Sequence, residues 1–322
     1  MTLTTRTTKT NLTSINKNKM NNDTSMFMFL LLEFSDVQEL QTLYFFLFLA
    51  FYLMTITGNL LIIITIALDH HLHTPMYFFL LMLALLDVGT ISVIVPKAMA
   101  MILMNGRSIS YSGCVAQVFL YTFFATSNLM LLTIMAHDRH VAICKPLLYG
   151  RIMHKEACLQ MVATACLISF LCATLHTGGT FAMTFCSNII HQFFCEIPRL
   201  ITLSCSDIYL VEVGFLVLGS TVALGCFTFI VITYMQIFAA VLRIRSVHSQ
   251  KKALSTCLPH LTVVSLLILT AVFAYVRPPT GTSSDLDITF AIIYAITPPL
   301  LNPFIYSLRN KEIKSFFICR NV

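Results

Sequence analysis

Charge is what this sequence most lacks. Only 11% of its 322 residues are Asp, Glu, Lys or Arg, where soluble domains carry roughly 25%. A soluble fold of this length would need polar faces that the composition cannot supply. A chain that is 57% hydrophobic, with a mean hydropathy of +0.83, is not disordered either. Eleven glycines are far too few for a collagenous repeat. Eleven cysteines are too dilute for a small disulfide scaffold. No repeat of about 20 to 50 residues is visible, which excludes solenoids. There is no Gly-x-Ser-x-Gly elbow, no His-Glu-x-x-His pair and no phosphate-binding glycine loop, so no enzyme is expected. The net charge of +6 comes without a long basic run, and no nucleic-acid partner is expected. The ten histidines make no ligand set on one helix face. His70, His71 and His73 read as interfacial, and no metal centre is expected.

What the sequence has in abundance is apolar runs long enough to cross a bilayer, for which a helix needs about 20 residues. Seven runs qualify, at residues 43–68, 76–95, 114–135, 158–175, 213–242, 254–276 and 288–308. Barrel strands would be near 10 residues and alternate, so the expected fold is all-α, a seven-transmembrane helix bundle. Residues 1–42 then form an N-terminal tail, 43–308 the bundle and 309–322 a short C-terminal tail. The first 19 residues lack the apolar h-region of a signal peptide, so the first span acts as its own insertion signal. An odd number of spans puts the termini on opposite sides. With the N-terminus outside, twelve Lys and Arg fall in inner segments, among them Arg139, Lys145, Arg243, Lys251 and Arg309. Only Lys97, Arg107, Arg199 and Arg277 fall in outer loops, with four more in the distal tail. This asymmetry predicts N-terminus outside and C-terminus inside. The sequons at Asn11 and Asn22 agree with an outer tail.

Charges inside hydrocarbon are expensive and usually functional. Asp87 is the one near the middle of a span, and it is expected to face the bundle interior with Asn59 and Asn302. Asp138 and Arg139 stand at the inner end of span three, and Glu212 at the outer edge of span five. Pro303 removes a backbone hydrogen bond inside span seven and kinks it, giving a hinge whose inner end carries Tyr306. Cys114, Cys186, Cys195 and Cys205 fall on the outer side, where oxidising conditions favour two disulfides. Four thiols permit three pairings. A metal site with His191 is the rival reading, but the spacing is not a zinc pattern. Cys144, Cys257 and Cys319 face the reducing side, while Cys158, Cys166, Cys172 and Cys226 are apolar filling.

Residues 135 to 144, Met-Ala-His-Asp-Arg-His-Val-Ala-Ile-Cys, resemble the inner end of helix three in olfactory receptors. Further motifs follow in the matching order. Gly58-Asn59 lies in span one, Leu72-His73-Thr74-Pro75-Met76-Tyr77 opens span two, and Lys252-Ala253-Leu254-Ser255-Thr256-Cys257 opens span six. Pro299-Leu300-Leu301-Asn302-Pro303-Phe304-Ile305-Tyr306 closes span seven. From Met20 onward the chain resembles an olfactory receptor of the rhodopsin-like G-protein-coupled class. Residues 20–24 resemble that family's short N-terminus, so residues 1–19 are expected to be dispensable.

The resemblance implies a small, uncharged, volatile odorant bound within the bundle and a stimulatory olfactory-type heterotrimeric G protein as partner. It implies the plasma membrane, with its lipid, of olfactory sensory neuron cilia. It implies disulfides Cys114–Cys195 and Cys186–Cys205. It makes Asp87 and Asn302 part of a water- or sodium-filled cluster, with no other cofactor. Asp138 would hold Arg139 at rest, and Arg139 would move towards Tyr234 and the G protein when helix six swings outward. The odorant pocket is placed between spans three and six. Helical spacing puts Tyr121, Thr122, Ala125 and Thr126 on one face of span three. Ala271, Val272 and Tyr275 fall one to two turns outward of Ile268 in span six.

The chain also leaves the family pattern. It has no Trp, and Cys166 stands where span four usually carries one. Leu267-Ile268-Leu269 replaces a usual Phe-Tyr-Gly triplet, Asn128 a frequent Glu, and His137 and His140 two Tyr. These departures define an alternative, a weakly or non-signalling divergent member. A rhodopsin-like receptor for a different ligand such as an amine would want an acid between Tyr121 and Thr126, which holds none. A transporter or channel would show inverted repeats, broken helices and several midplane charges.

Overall fold

Each of the seven apolar runs folds as an α-helix, and every helix is longer than the run within it. The computed structural model describes residues 28–31, 38–104, 106, 108–190, 192–205, 209–243, 246–276 and 285–309. Its long helices are α1 (Gln38–Leu68), α2 (Pro75–Met104), α3 (Tyr111–Cys144), α4 (Lys155–Ala182), α5 (Tyr209–Leu242), α6 (Val247–Val276) and α7 (Asp285–Arg309). Among the described residues, α1 to α5 hold stretches long and apolar enough to cross a membrane, and α6 and α7 hold the shorter apolar segments Cys257–Leu269 and Ala291–Ile305.

Helix is the outcome because hydrocarbon offers backbone groups no partner, so each segment must close its own ladder. At 1.5 Å per residue, the 30 residues of α2 reach about 45 Å, a bilayer's thickness with its headgroups. The extra turns therefore lie where the apolar run has ended. Two expectations are corrected by this. The segment assigned to the tail up to residue 42 ends early, since α1 begins at Gln38. Lys97, assigned to an outer loop, lies within α2, where its Nζ donates to the Ser108 carbonyl at 2.9 Å.

Neighbours in sequence pack as neighbours in space. The ring closes where α7 meets α1 and α2, and α3 touches α2, α4, α5 and α6, which puts it at the centre. Gly58 makes one close approach possible, because a Cβ there would lie 2.9 Å from the Pro303 ring of α7.

The two ends of the bundle are built differently. At the disulfide end, β1 (Met28–Leu31) pairs antiparallel with β2 (Ser108–Ser110) and parallel with β3 (Ile189–Ile190), in the order β2-β1-β3. Strand alternation turns Phe29 and Leu31 inward, into a cluster with Ile109, Cys114, Ile190 and Cys195. Four apolar residues are too short a run for periodicity to distinguish, so this strand is absent from the sequence reading. At the Arg139 end the connections are short. Asp69 accepts from the His71 amide at 2.9 Å and caps the turn His70–Leu72. Pro146–Leu148 and Tyr149–Ile152 form helical turns after α3.

Candidate functional site

Three polar clusters lie along the bundle axis. The middle one centres on Asp87 of α2, which is 1% exposed. Its Oδ2 accepts from Asn302 Nδ2 of α7 at 2.7 Å, and its Oδ1 from Asn128 Nδ2 of α3 at 3.5 Å. Asn128 also reaches Thr90 Oγ1 at 3.5 Å. Asp87 and Asn302 are thus together as expected, and Asn128 joins them. Asn59 does something else. Pro303 has no N–H, so the carbonyl four residues back, that of Pro299, loses its helical donor. Asn59 Nδ2 supplies one from α1 at 3.2 Å and gives its other hydrogen to Thr55 O at 2.9 Å. Both amide hydrogens are thereby used on carbonyls. Through its Nδ2, Asn59 ties α1 to the α7 hinge, and its buried Oδ1 has no hydrogen-bond partner among the described residues.

The second cluster lies at the Arg139 end. Asp138 is fully buried and accepts from Arg139 Nη2 at 2.6 Å and from Tyr149 Oη at 2.7 Å. Burial, and then the Asp138 carboxylate beside it, push the Tyr149 phenol above its usual range, so it stays a donor. Tyr234 of α5 meets His260 of α6, its hydroxyl 2.7 Å from His260 Nδ1. His260 Nε2 lies 2.9 Å from the Leu132 carbonyl of α3. A carbonyl only accepts, so Nε2 carries a proton and donates to Leu132, while Nδ1 pairs with the Tyr234 hydroxyl. One imidazole, 2% exposed, therefore clasps three helices. The sequence reading passed over His260; a lone His beside Pro259 in an apolar stretch carries no one-dimensional signal. The side chain of Tyr306 lies outside the described residues.

The third cluster closes the disulfide end. Cys114 and Cys195 are bonded with their Cα atoms 5.6 Å apart, and Cys186 and Cys205 with theirs 5.8 Å apart. Gln117 of α3 accepts from the Cys195 amide at 2.9 Å and donates to the Val93 carbonyl of α2 at 3.1 Å. This fixes the loop segment that carries Phe193 and Phe194. Both rings are buried, Phe193 against Phe48 of α1 at 5.8 Å and Phe194 against Tyr121 of α3 at 5.5 Å. Glu196 follows them and accepts from the Tyr294 hydroxyl of α7. It also meets Gln192 Nε2 at 3.5 Å and Arg199 Nε at 3.6 Å. Burial pushes the Glu196 carboxyl above its ordinary value.

Of the pocket residues, the structure brings Tyr121 beneath Phe194 and leaves Thr122, Ala125 and Thr126 half-buried on α3. The backbone of α6 reaches Val276, but the side chains of Ala271, Val272 and Tyr275 lie outside the described residues. Asn11 and Asn22 also lie outside them. Among the described residues no group of three His, Cys, Asp or Glu is placed to hold a metal.

Comparison with known proteins identifies the family. The olfactory receptor family matches residues 48–320. Human Olfactory receptor 14I1 is 49% identical over 297 residues, 92% of this chain and 96% of that protein. Human Olfactory receptor 14C36 is 47% identical over 92% of this chain and 95% of its own. Mouse Olfactory receptor 5G9 is 44% identical over 86% and 88%. A match along nearly the whole bundle, with such identities over such lengths, shows the family: the chain is a multi-pass membrane protein that belongs to the olfactory receptors.

Proposed function

We propose that the chain binds small, uncharged, volatile odorants within the outer half of the bundle and activates a stimulatory heterotrimeric G protein at its Arg139 end. The N-terminus then lies outside, the C-terminus inside, and the working location is the plasma membrane of sensory cilia. One observation carries the reading: the His260 clasp is a closed latch on α6. Each of its hydrogen bonds is worth about 1 kcal/mol net. A ligand that prefers the open state by the usual 1 to 3 kcal/mol of allosteric coupling is enough to release it. Release frees the Tyr234 hydroxyl to meet Arg139, and the outward movement of α6 opens a face for the G protein. Asp138 and Tyr149 hold the resting arrangement from the other side.

The ligand class follows from the lining. Tyr121, Thr122 and Thr126 of α3, with Tyr275 of the α6 sequence, supply hydroxyls, and the stretch from Tyr121 to Thr126 holds no acid, which favours an alcohol, ketone or ester. Ile268 supplies no hydroxyl, so Tyr275 and Thr126 carry more of the orientation. In the middle cluster, the amide oxygens of Asn128 and Asn302 have no protein donor although both amides bond Asp87. Carboxylate and amide oxygens suit a hard cation, so these three residues fit a sodium ion or water. A bound ion would supply positive charge beside Asp87.

The test is a cyclic AMP reporter assay of the surface-expressed chain against an odorant panel. A saturable response to a neutral volatile, lost in Arg139→Ala, supports the reading. A surface-delivered chain that stays silent across the panel, with its closed latch mutated as well, favours the non-signalling alternative.

A further inference from the structure

Between α5 and α6 at the Arg139 end runs an open groove of about 320 Å³ that the switch does not use. Phe238 of α5 and Lys251, Leu254, Leu258 and Leu261 of α6 line it. Leu254 and Leu258 are 39% and 46% exposed, so the apolar wall is open to whatever surrounds the helices. We propose that this groove is a binding site for an anionic phospholipid of the inner leaflet, with an acyl chain along the leucines and the phosphate on Lys251.

Three features support this occupant. The first is the order of the lining. Lys251 stands one turn into α6, and Leu254, Leu258 and Leu261 follow at successive turns towards the bilayer centre. A cation at the interface with hydrocarbon beneath it is the order of a lipid. The second is length. Ten residues from Lys251 to Leu261 rise about 15 Å, half of the roughly 30 Å hydrocarbon core and so the depth of one leaflet. The third is charge. Lys251 is exposed, Arg243 lies exposed just past the end of α5, and basic residues beside a span attract anionic headgroups. A protein segment is a poorer fit, because its backbone would meet Leu258 and Leu261 with no partner for its polar groups.

The choice of leaflet rests on the orientation proposed above; the binding itself does not. The purified chain is placed in nanodiscs of phosphatidylcholine with or without phosphatidylserine, and retained lipid is counted by native mass spectrometry. The proposal expects phosphatidylserine to be retained over phosphatidylcholine. Lys251→Gln should lower that retention about fivefold, the worth of one basic residue at an anionic surface. Leu258→Trp, which fills the groove, should lower retention of both lipids. Lys155→Gln, at an exposed lysine of the same end, should leave it unchanged. Unaltered retention in Lys251→Gln, or an equal loss in Lys155→Gln, overturns the proposal. A Lys251→Gln chain that keeps phosphatidylserine but loses G-protein coupling assigns the groove to a protein partner and overturns it too. Discs present the same lipid on both faces, so an antibody to a C-terminal tag on intact cells tests the orientation independently.

Discussion

The disulfide end and the Arg139 end of this bundle are held by different kinds of bond. At the first, two disulfides, a three-stranded sheet and the buried Phe193–Phe194 pair fix one long loop against α1, α2, α3 and α7. No single weak contact governs that arrangement. At the second, α3, α5 and α6 meet through His260 and Tyr234, and α3 meets the following turn through Asp138 and Tyr149. Each of those contacts is small enough for a ligand's preference to reverse. On the proposed function, covalent and sheet contacts keep one end in shape while hydrogen bonds let the other change. Mutations should therefore separate cleanly: those at the disulfide end should lower folding and delivery, and those at the Arg139 end should alter signalling.

The largest effect is expected from Cys114→Ser. Its bond joins residues 81 apart, against 19 for Cys186–Cys205. Chain entropy then gives about 4.5 kcal/mol for the first and about 3 kcal/mol for the second. Cys114→Ser should abolish surface delivery, and Cys186→Ser should reduce it less. Surface staining with thermal melts in detergent measures both. Equal losses would show that loop length does not rank the bonds, and free thiols at Cys114 and Cys195 by peptide mapping would remove the first bond altogether.

Next comes the latch. His260→Leu removes both clasp bonds, about 2 kcal/mol together, which raises the ratio of active to resting receptor roughly 30-fold. Basal cyclic AMP should rise at unchanged surface level. Adding Arg139→Ala should silence it, because the released face then lacks its cation. A His260→Leu chain with parental basal output would mean that the clasp is packing and that the comparison between the ends fails at its switching side.

How far these features can be read from the sequence depends on their range. Seven spans are legible because hydrocarbon leaves helix as the only answer for a long apolar run. The pairing of Asp87 with Asn302 is legible because a polar residue in such a run must find another. Asn59 was half legible: its need for a partner was plain, but the partner is a carbonyl that only the missing N–H of Pro303 exposes. The clasp of His260 and the anchoring of Cys195 by Gln117 join residues 128 and 78 apart. Neither carries a local pattern. The strand at Met28–Leu31 depends on two loops far away in sequence, and four residues alone cannot announce it.

The tie from Asn59 to Pro299 makes the third prediction. Asn59→Ala leaves the Pro299 carbonyl without its donor at a buried site, which costs about 1.5 kcal/mol. The cost falls on the tie between α1 and α7, between the two ends. Thermal stability should drop by that amount, with delivery largely kept. Hydrogen exchange should speed up around residues 299–303. Exchange that accelerates instead around Asp87 would place Asn59 back in the middle cluster.

The smallest effect concerns Glu196, and it probes the disulfide end by pH. Burial raises its carboxyl above the ordinary 4.5, while Tyr294, Arg199 and Gln192 oppose the rise. A carboxyl with a raised folded-state value binds more protons when folded than when unfolded. Stability from this group is then complete below 4.5 and is lost as pH rises through the folded value. Acidification from neutrality should accordingly tighten the closure formed by residues 192–196, seen as slower hydrogen exchange there. Glu196→Gln carries no charge at any pH and keeps an oxygen for the Tyr294 hydroxyl, so its exchange should be flat over the same range. The effect is small because three donors already surround the carboxylate. Parallel pH profiles for the parent and Glu196→Gln would show that another group governs the closure. Opposite slopes would mean that the ion pair with Arg199, 3.6 Å away, outweighs burial.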